Sequence, residues 1–227
     1  EPTTALAAAT TGARSTAPAS GVQAVPPPAA APGAAPEVTI TVLYDNITAC
    51  AGARSGWGFS CLVRGLSETV LFDTGADGEL LLANMDLLQV SPQEIDVVVL
   101  SHDHRDHTGG LAAVVATNPD LTIYYPATFS HRTIAPALIA GAGLMPVEDA
   151  VSPTPGLTVT GPLGDPAESG LLVDTGKQRV LLVGCAHPGV VEMTAAATEI
   201  AGGPVTAVMG GFHLGSATAE QVEQIIQ

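Results

Sequence analysis

The sequence predicts an α+β domain with stacked layers, and two observations carry that expectation. From residue 37 onward, β-branched and apolar runs arrive in groups, with helical segments interspersed. Strict strand–helix alternation would point instead to a doubly wound parallel sheet. Hydrophobic residues make up 46% of the 227 and aromatics only 4%, so the core must be aliphatic: Val, Leu, Ile and Ala. A chain of this length has room for one sizeable domain or two small ones, with a real core.

Each element has a local reason. Residues 38–44 alternate β-branched and apolar side chains and read as a strand. Residues 59–64 and 69–73 read as paired strands about a turn at 65–68. Residues 78–88 suit a helix, and 95–100 form the branched apolar run of a buried strand. Short helices fit 110–117 and 132–141, with a strand at 121–125 between them. Residues 157–160 are strand-like, and 171–174 with 179–183 make a hairpin around Thr175-Gly176-Lys177. A helix at 189–201 and a strand at 204–209 follow. The last helix opens near 216, with Val222, Ile225 and Ile226 at helical spacing.

The ends differ from the middle. Of residues 1–36, 13 are Ala and 7 are Pro, and only Glu1 and Arg14 carry charge. Such a segment buries too little apolar surface to offset its ordering entropy, so it is expected to be a disordered tether. Ala/Pro/Ser/Thr tethers often follow a removed export signal, which slightly favours a periplasmic or extracellular location over the cytoplasm. The sequence stops about one turn after the apolar stripe of the last helix begins. The catalytic domain, 37–227, is therefore expected to be an incomplete version of something longer.

Charge removes several function classes. Seven Lys+Arg against 22 Asp+Glu give a net charge of −15, which repels phosphate backbones and anionic lipid. Nucleic-acid binding is not expected, and no apolar run reaches the ~18 residues of a transmembrane helix. Three cysteines, Cys50, Cys61 and Cys185, are too few for a disulfide scaffold. Oligomeric state is not encoded in any pattern here. The glycine pairs at 109–110 and 202–203 do not fit a phosphate-binding loop.

The chemistry concentrates in histidines. Three of the six fall in Ser101-His102-Asp103-His104-Arg105-Asp106-His107, directly after the strand at 95–100 and before Thr108-Gly109-Gly110. By composition alone, His-x-His-x-Asp-His arises at roughly one position in a million, so chance is a poor explanation. Imidazole and carboxylate suit a borderline ion such as zinc, and catalytic zinc sites keep one position open for water. Side chains at i and i+2 of an extended loop can converge on one ion, with Asp106 and His107 placed to hold a second. Cys185 has no His–Asp dyad in sequence order, so a cysteine-nucleophile mechanism is not favoured.

His102-x-His104-x-Asp106-His107 resembles the signature of the metallo-β-lactamase-fold superfamily, and Asp73-Thr74-Gly75 ending an earlier strand fits it too. The resemblance spans residues 38–220. It is strongest to a subgroup with Asp45-Asn46, Gly56-Trp57-Gly58-Phe59-Ser60, Gly184-Cys185-Ala186-His187-Pro188-Gly189 and Gly210-Gly211-Phe212-His213-Leu214. That subgroup contains dihydropterin-methyl-ribofuranosylaminobenzene-phosphate synthases and metal-dependent hydrolases. The resemblance implies a four-layer αββα sandwich with a dinuclear site at its edge. It implies that His102, His104 and His187 hold one metal, and that Asp106 and His107 hold the second. His213 is implied as either a ligand or a substrate-facing group.

Two departures accompany the resemblance. Many members carry a bridging Asp where this chain has Cys185, so the bridge is missing or comes from elsewhere, Asp165 being a weak candidate. The subgroup also usually continues past the helix at 216 to a strand ending in another metal-site histidine. The expected chemistry is a zinc-dependent hydrolase acting on a small ester, lactone or phosphoester, since such metals lower the pKa of water towards about 7. Asp103 or Asp106 would orient the water and Asp73 would brace the loop. Two zinc ions are expected ahead of Mn2+ or Fe2+, because the superfamily's iron-redox members tend to carry a carboxylate at the second position of His-x-His. The alternatives are the pterin-related synthase, which an export tether disfavours, and a non-catalytic metal-binding protein. Loops at 45–57, 127–150 and 210–215 are expected to line the substrate pocket.

Overall fold

A computed structural model describes residues 37–215 and 217–226. The expected tether at 1–36, Ser216 and Gln227 lie outside the described residues. The first sheet runs in chain order: β1 (Thr39–Tyr44), β2 (Ser60–Arg64), β3 (Val70–Phe72), β4 (Val97–Val99), β5 (Thr122–Pro126) and β6 (Gly143–Val147). β1, β2 and β3 pair antiparallel, and β3 through β6 pair parallel. The second sheet comprises β7 (Val151–Thr154), β8 (Leu157–Val159), β9 (Leu171–Asp174), β10 (Arg179–Val183) and β11 (Ala207–Gly210). Its first four strands pair antiparallel, and β10 and β11 pair parallel.

The inner strands read as continuous apolar runs because both of their faces are covered. From the first sheet, Cys61, Val63, Val70, Phe72, Val97 and Val99 meet Leu157, Val159, Leu171, Val173 and Leu182 of the second. The alternating residues Leu62, Leu71, Val98 and Leu100 face the other way. They pack against α1 (Gly78–Leu87), α3 (Leu111–Thr117) and α4 (His131–Ala140) through Leu81, Met85, Leu111, Val114 and Ala137. On the far side, Leu181 and Val183 of β10 pack on Met193 and Ala197 of α5 (Val190–Ala201). This is the expected four-layer αββα sandwich. Full burial of each such Leu or Val contributes about 1.5–3 kcal/mol, so the aliphatic composition suffices for three interlayer cores.

Local signals set the helix ends. Asp77 caps α1 by accepting from the backbone of Glu79 and Leu80. Thr218 and Gln221 form a reciprocal cap on α6 (Ala219–Ile226), with Thr218 N–H donating to Gln221 Oε1 and Gln221 N–H to Thr218 Oγ1. No helix among the described residues is long and apolar enough to cross a membrane.

The sequence pattern did not foresee β6 or β7, each of which contains proline: Pro146 and Pro153. Both are edge strands, where a missing N–H donor is tolerated. Consequently 127–150 is not a pocket-lining loop: most of it forms α4 and β6. The parallel pairs β3/β4 and β10/β11 bring four loops, beginning at Asp73, Ser101, Gly184 and Gly211, to the strands' carboxyl ends. Gly211 N–H donates to Gly184 carbonyl at 3.0 Å, and Ser169 N–H to Ser101 carbonyl at 2.8 Å, tying these loops together.

Candidate metal centre

Asp73 leaves β3 in a left-handed conformation (φ 56°) and is fully buried. Its Oδ1 accepts from Ser101 N–H at 2.7 Å, and its Oδ2 accepts from Ser101 Oγ at 2.8 Å. Oδ2 also lies 2.7 Å from His107 Nδ1. One carboxylate thereby fixes the start of the histidine loop and the ring at its end. Asp73, Ala186 and His213 are three of the four non-glycine residues with positive φ among the described residues. All three lie in loops at this sheet edge, where surrounding structure holds an unfavourable backbone.

The extended backbone at His104 (φ −111°, ψ 146°) precedes the short α2 (Arg105–Thr108). It lets His102 and His104 turn towards each other, with ring centroids 4.7 Å apart. His187, from the loop after β10, lies 4.7 Å from His102 and 4.9 Å from His104. His213 stands 4.8 Å from His187 on the solvent side. His107 Nε2 lies 3.2 Å from Cys185 Sγ and 3.5 Å from Asp106 Oδ2.

Two groups of donors result. Ligand atoms of His102, Cys185 and His187 lie within 4.8 Å of one another, as do those of Asp106, His107 and Cys185. His102 Nε2 and His187 Nε2 are two of four buried side-chain polar atoms without a hydrogen-bond partner among the described residues. A buried ring nitrogen without a partner is costly unless something else binds it. Imidazole, carboxylate and thiol donors in two adjacent clusters fit a borderline ion such as zinc.

The electrostatics separate the histidines. Burial, and then the charge on His107, push His102 down to about 3, so it presents a neutral ring. Burial likewise lowers His187. For His107 burial opposes the charged form, but the Asp73 carboxylate and hydrogen bonds with Asp106, Asp73 and Cys185 override it, to about 12. The His107 hydrogen bond in turn holds Asp106 down to about 2. The Asp73 carboxylate therefore favours the protonated form of His107 in the metal-free chain, and a metal would compete with that proton.

Glu168 is the residue that sequence reading missed. It is fully buried, and its Oε1 accepts from the N–H groups of Gly184, Cys185 and Ala186 at 2.9, 3.0 and 3.0 Å. Its Oε2 accepts from His187 N–H at 2.8 Å. Four consecutive amides thus wrap one carboxylate and set the direction of Cys185 and His187. Gly184 is required beneath them, because a Cβ there would sit 2.2 Å from Ser101 Oγ.

Two expected residues, and the remaining histidine, His131, lie elsewhere. Asp103, expected to orient water, turns away: its oxygens accept from Ser130 N–H at 2.8 Å and Thr133 Oγ1 at 2.5 Å, at the start of α4. Asp165 is exposed in the turn between Leu163 and Glu168 and is no bridge. His131 is exposed on the first turn of α4.

The family model for the metallo-beta-lactamase superfamily matches residues 58–210. The chain belongs to that superfamily. The superfamily is largely enzymatic, and its fold is a scaffold of the metal-dependent hydrolase kind. The chain is 30% identical to the 7,8-dihydropterin-6-methyl-4-(beta-D-ribofuranosyl)-aminobenzene-5'-phosphate synthase of Methanocaldococcus jannaschii, over 72% of this chain and 71% of that one. A hydroxyacylglutathione hydrolase of Erwinia tasmaniensis is 46% identical over 44 residues, 19% of this chain and 16% of that one. Among solved structures, the metal-dependent hydrolase Tm1679 of the beta-lactamase superfamily superposes with a TM-score of 0.68 at 23% identity, covering 84% of this chain and 82% of that one. A quorum-quenching N-acyl homoserine lactone hydrolase superposes at 0.53 and 14% identity, covering 81% and 96%. These two likenesses bear on the fold.

Proposed function

We propose that the chain is a zinc-dependent hydrolase in which His102, His104 and His187 hold one ion, and Asp106 and His107 the second. The observation that carries this reading is the pair of buried, partnerless ring nitrogens, His102 Nε2 and His187 Nε2, beside a second donor cluster. Zinc, when bound, supplies Lewis acidity and lowers the pKa of water. Asp73 holds His107 and Ser101 in place from behind. Asp106, beside His107 at the second position, would also orient the attacking water. His213 faces incoming substrate from the rim.

The substrate is a small neutral ester or lactone. A cavity of about 190 Å3 beside Cys185 and His107 is lined by Asp45, Asn46, Trp57, Phe59 and glycines. A second, of about 520 Å3, lies beside His187 and His213. Among the described residues, no Lys or Arg lines either one. A phosphorylated substrate would have only the metals to balance its charge. That weighs against a phosphoester. It also weighs against the synthase reading, which the 30% identity to the archaeal enzyme otherwise favours.

Elemental analysis of this chain and of His104→Ala tests the centre, and a panel of lactones, nitrophenyl esters and phosphoesters tests the reaction. Close to two zinc ions per chain, fewer in the variant, with ester or lactone turnover, is the expected result. No metal uptake after adding zinc would refute the enzyme reading, and one ion without turnover would point to a metal-binding protein.

A further inference from the structure

We propose that Cys185 is a shared ligand, its Sγ bridging the two metal positions. The proposal rests on the metal-centre reading above and deepens it. Cys185 is the one residue common to both donor groups: its Sγ lies within 4.8 Å of His102 and His187 donors and of Asp106 and His107 donors. His102 Nε2, fully buried and without a partner, belongs to the first of these groups.

Three of the nearby carboxylates are already engaged, and Asp106 belongs to the second donor group. Asp73 is held by Ser101 and His107, Asp103 by Ser130 and Thr133, and Glu168 by four amides. Asp165 is exposed in its turn. The thiol, by contrast, is only partly buried, and its one side-chain hydrogen-bond partner among the described residues is His107. Its backbone is fixed by Glu168 through the Cys185 N–H. On metal entry the thiol would lose its proton to solvent and exchange the His107 contact for coordination as a thiolate. A thiolate bridge also selects for zinc over manganese, since soft sulfur disfavours hard, oxygen-seeking ions.

The full chain, stripped of metal, is titrated with Co2+ while thiolate-to-cobalt charge transfer is followed in the near ultraviolet. A bridging sulfur makes the band rise through two equivalents. A band that stops at one equivalent means a terminal ligand and overturns the bridge. Two bound ions with no band also overturn it, while leaving the metal centre standing. Failure to bind any cobalt or zinc refutes the centre itself.

Alkylation of the unmutated chain gives a check that needs no variant. Cys50 is exposed and Cys61 fully buried, so they serve as the reactive and protected controls. Zinc is expected to slow labelling of Cys185 by about tenfold or more without affecting Cys50. Equal labelling of Cys185 with and without bound zinc would overturn the proposal. Cys185→Asp should keep two ions without the band, whereas a band surviving in Cys185→Asp or Cys185→Ser would assign it to another thiol.

Discussion

Replacing Glu168 by Gln changes one atom and leaves the shape of the side chain intact, so it isolates what the buried carboxylate does. Its four hydrogen bonds, at 2.8–3.0 Å, run to consecutive amides from Gly184 to His187. Hydrogen bonds to a charged group contribute about 1.5–3 kcal/mol each, roughly twice the neutral kind. A glutamine oxygen placed at Oε1 keeps three donors at reduced strength, but the amide NH2 then opposes His187 N–H. Breaking one charge-assisted hydrogen bond and weakening the other three costs about 3–5 kcal/mol, a large part of the 5–15 kcal/mol typical of a whole domain. The metal-free melting temperature should fall by about 6–20 °C, given about 2–4 °C per kcal/mol at this size. Because the same amides direct Cys185 and His187, zinc affinity should weaken by about 10–100-fold. Calorimetric melting and competition with a zinc chelator measure the two effects. A melting temperature within about 2 °C of the parent, with unchanged zinc affinity, would refute the role assigned to Glu168.

Stability and zinc affinity should depend on pH with opposite signs. His107 is raised from 6.5 to about 12, so its contribution to the metal-free fold is full below 6.5 and is lost as pH rises towards 12. His102 is depressed to about 3, so its contribution is lost as pH falls from 6.5 towards 3. Denaturant melts of the stripped chain should therefore show lower stability at pH 9 than near 6.5. Zinc affinity should increase over that interval because the metal competes with the His107 proton; an affinity that is flat or falling would contradict a protonated His107. Asp103→Asn should lower stability by about 0.5–2 kcal/mol through the start of α4, leaving zinc stoichiometry unchanged. A loss of zinc in that variant would return Asp103 to the site. Gly184→Ala drives a Cβ to 2.2 Å from Ser101 Oγ and 3.0 Å from His102 Nδ1, so bound zinc should decrease. Gly215→Ala, with open space around it, is the control, and equal zinc content in the two would refute the packing argument.

The sequence determined everything that depends on short spacing. Period-two runs located β1, β2 and the β9/β10 hairpin, the apolar run located β4, and the His-x-His-x-Asp-His spacing located four donors on one loop, because neighbours in sequence share a backbone whose conformation is set locally. β6 and β7 were hidden because Pro146 and Pro153 argue against a strand until the sheet order shows that both lie at edges. Tertiary structure decided which distant residues meet. Cys185 and His187 lie about eighty residues beyond His102 and reach it only because β10 of the second sheet ends at the same edge of the sandwich as β4 of the first. Asp103, two residues from Asp73's partner Ser101, looked catalytic in the motif, yet it faces α4 once the chain folds. Glu168 stood in no motif. A carboxylate that binds four backbone amides recognises their direction and not their side chains, and that direction exists only in the folded chain.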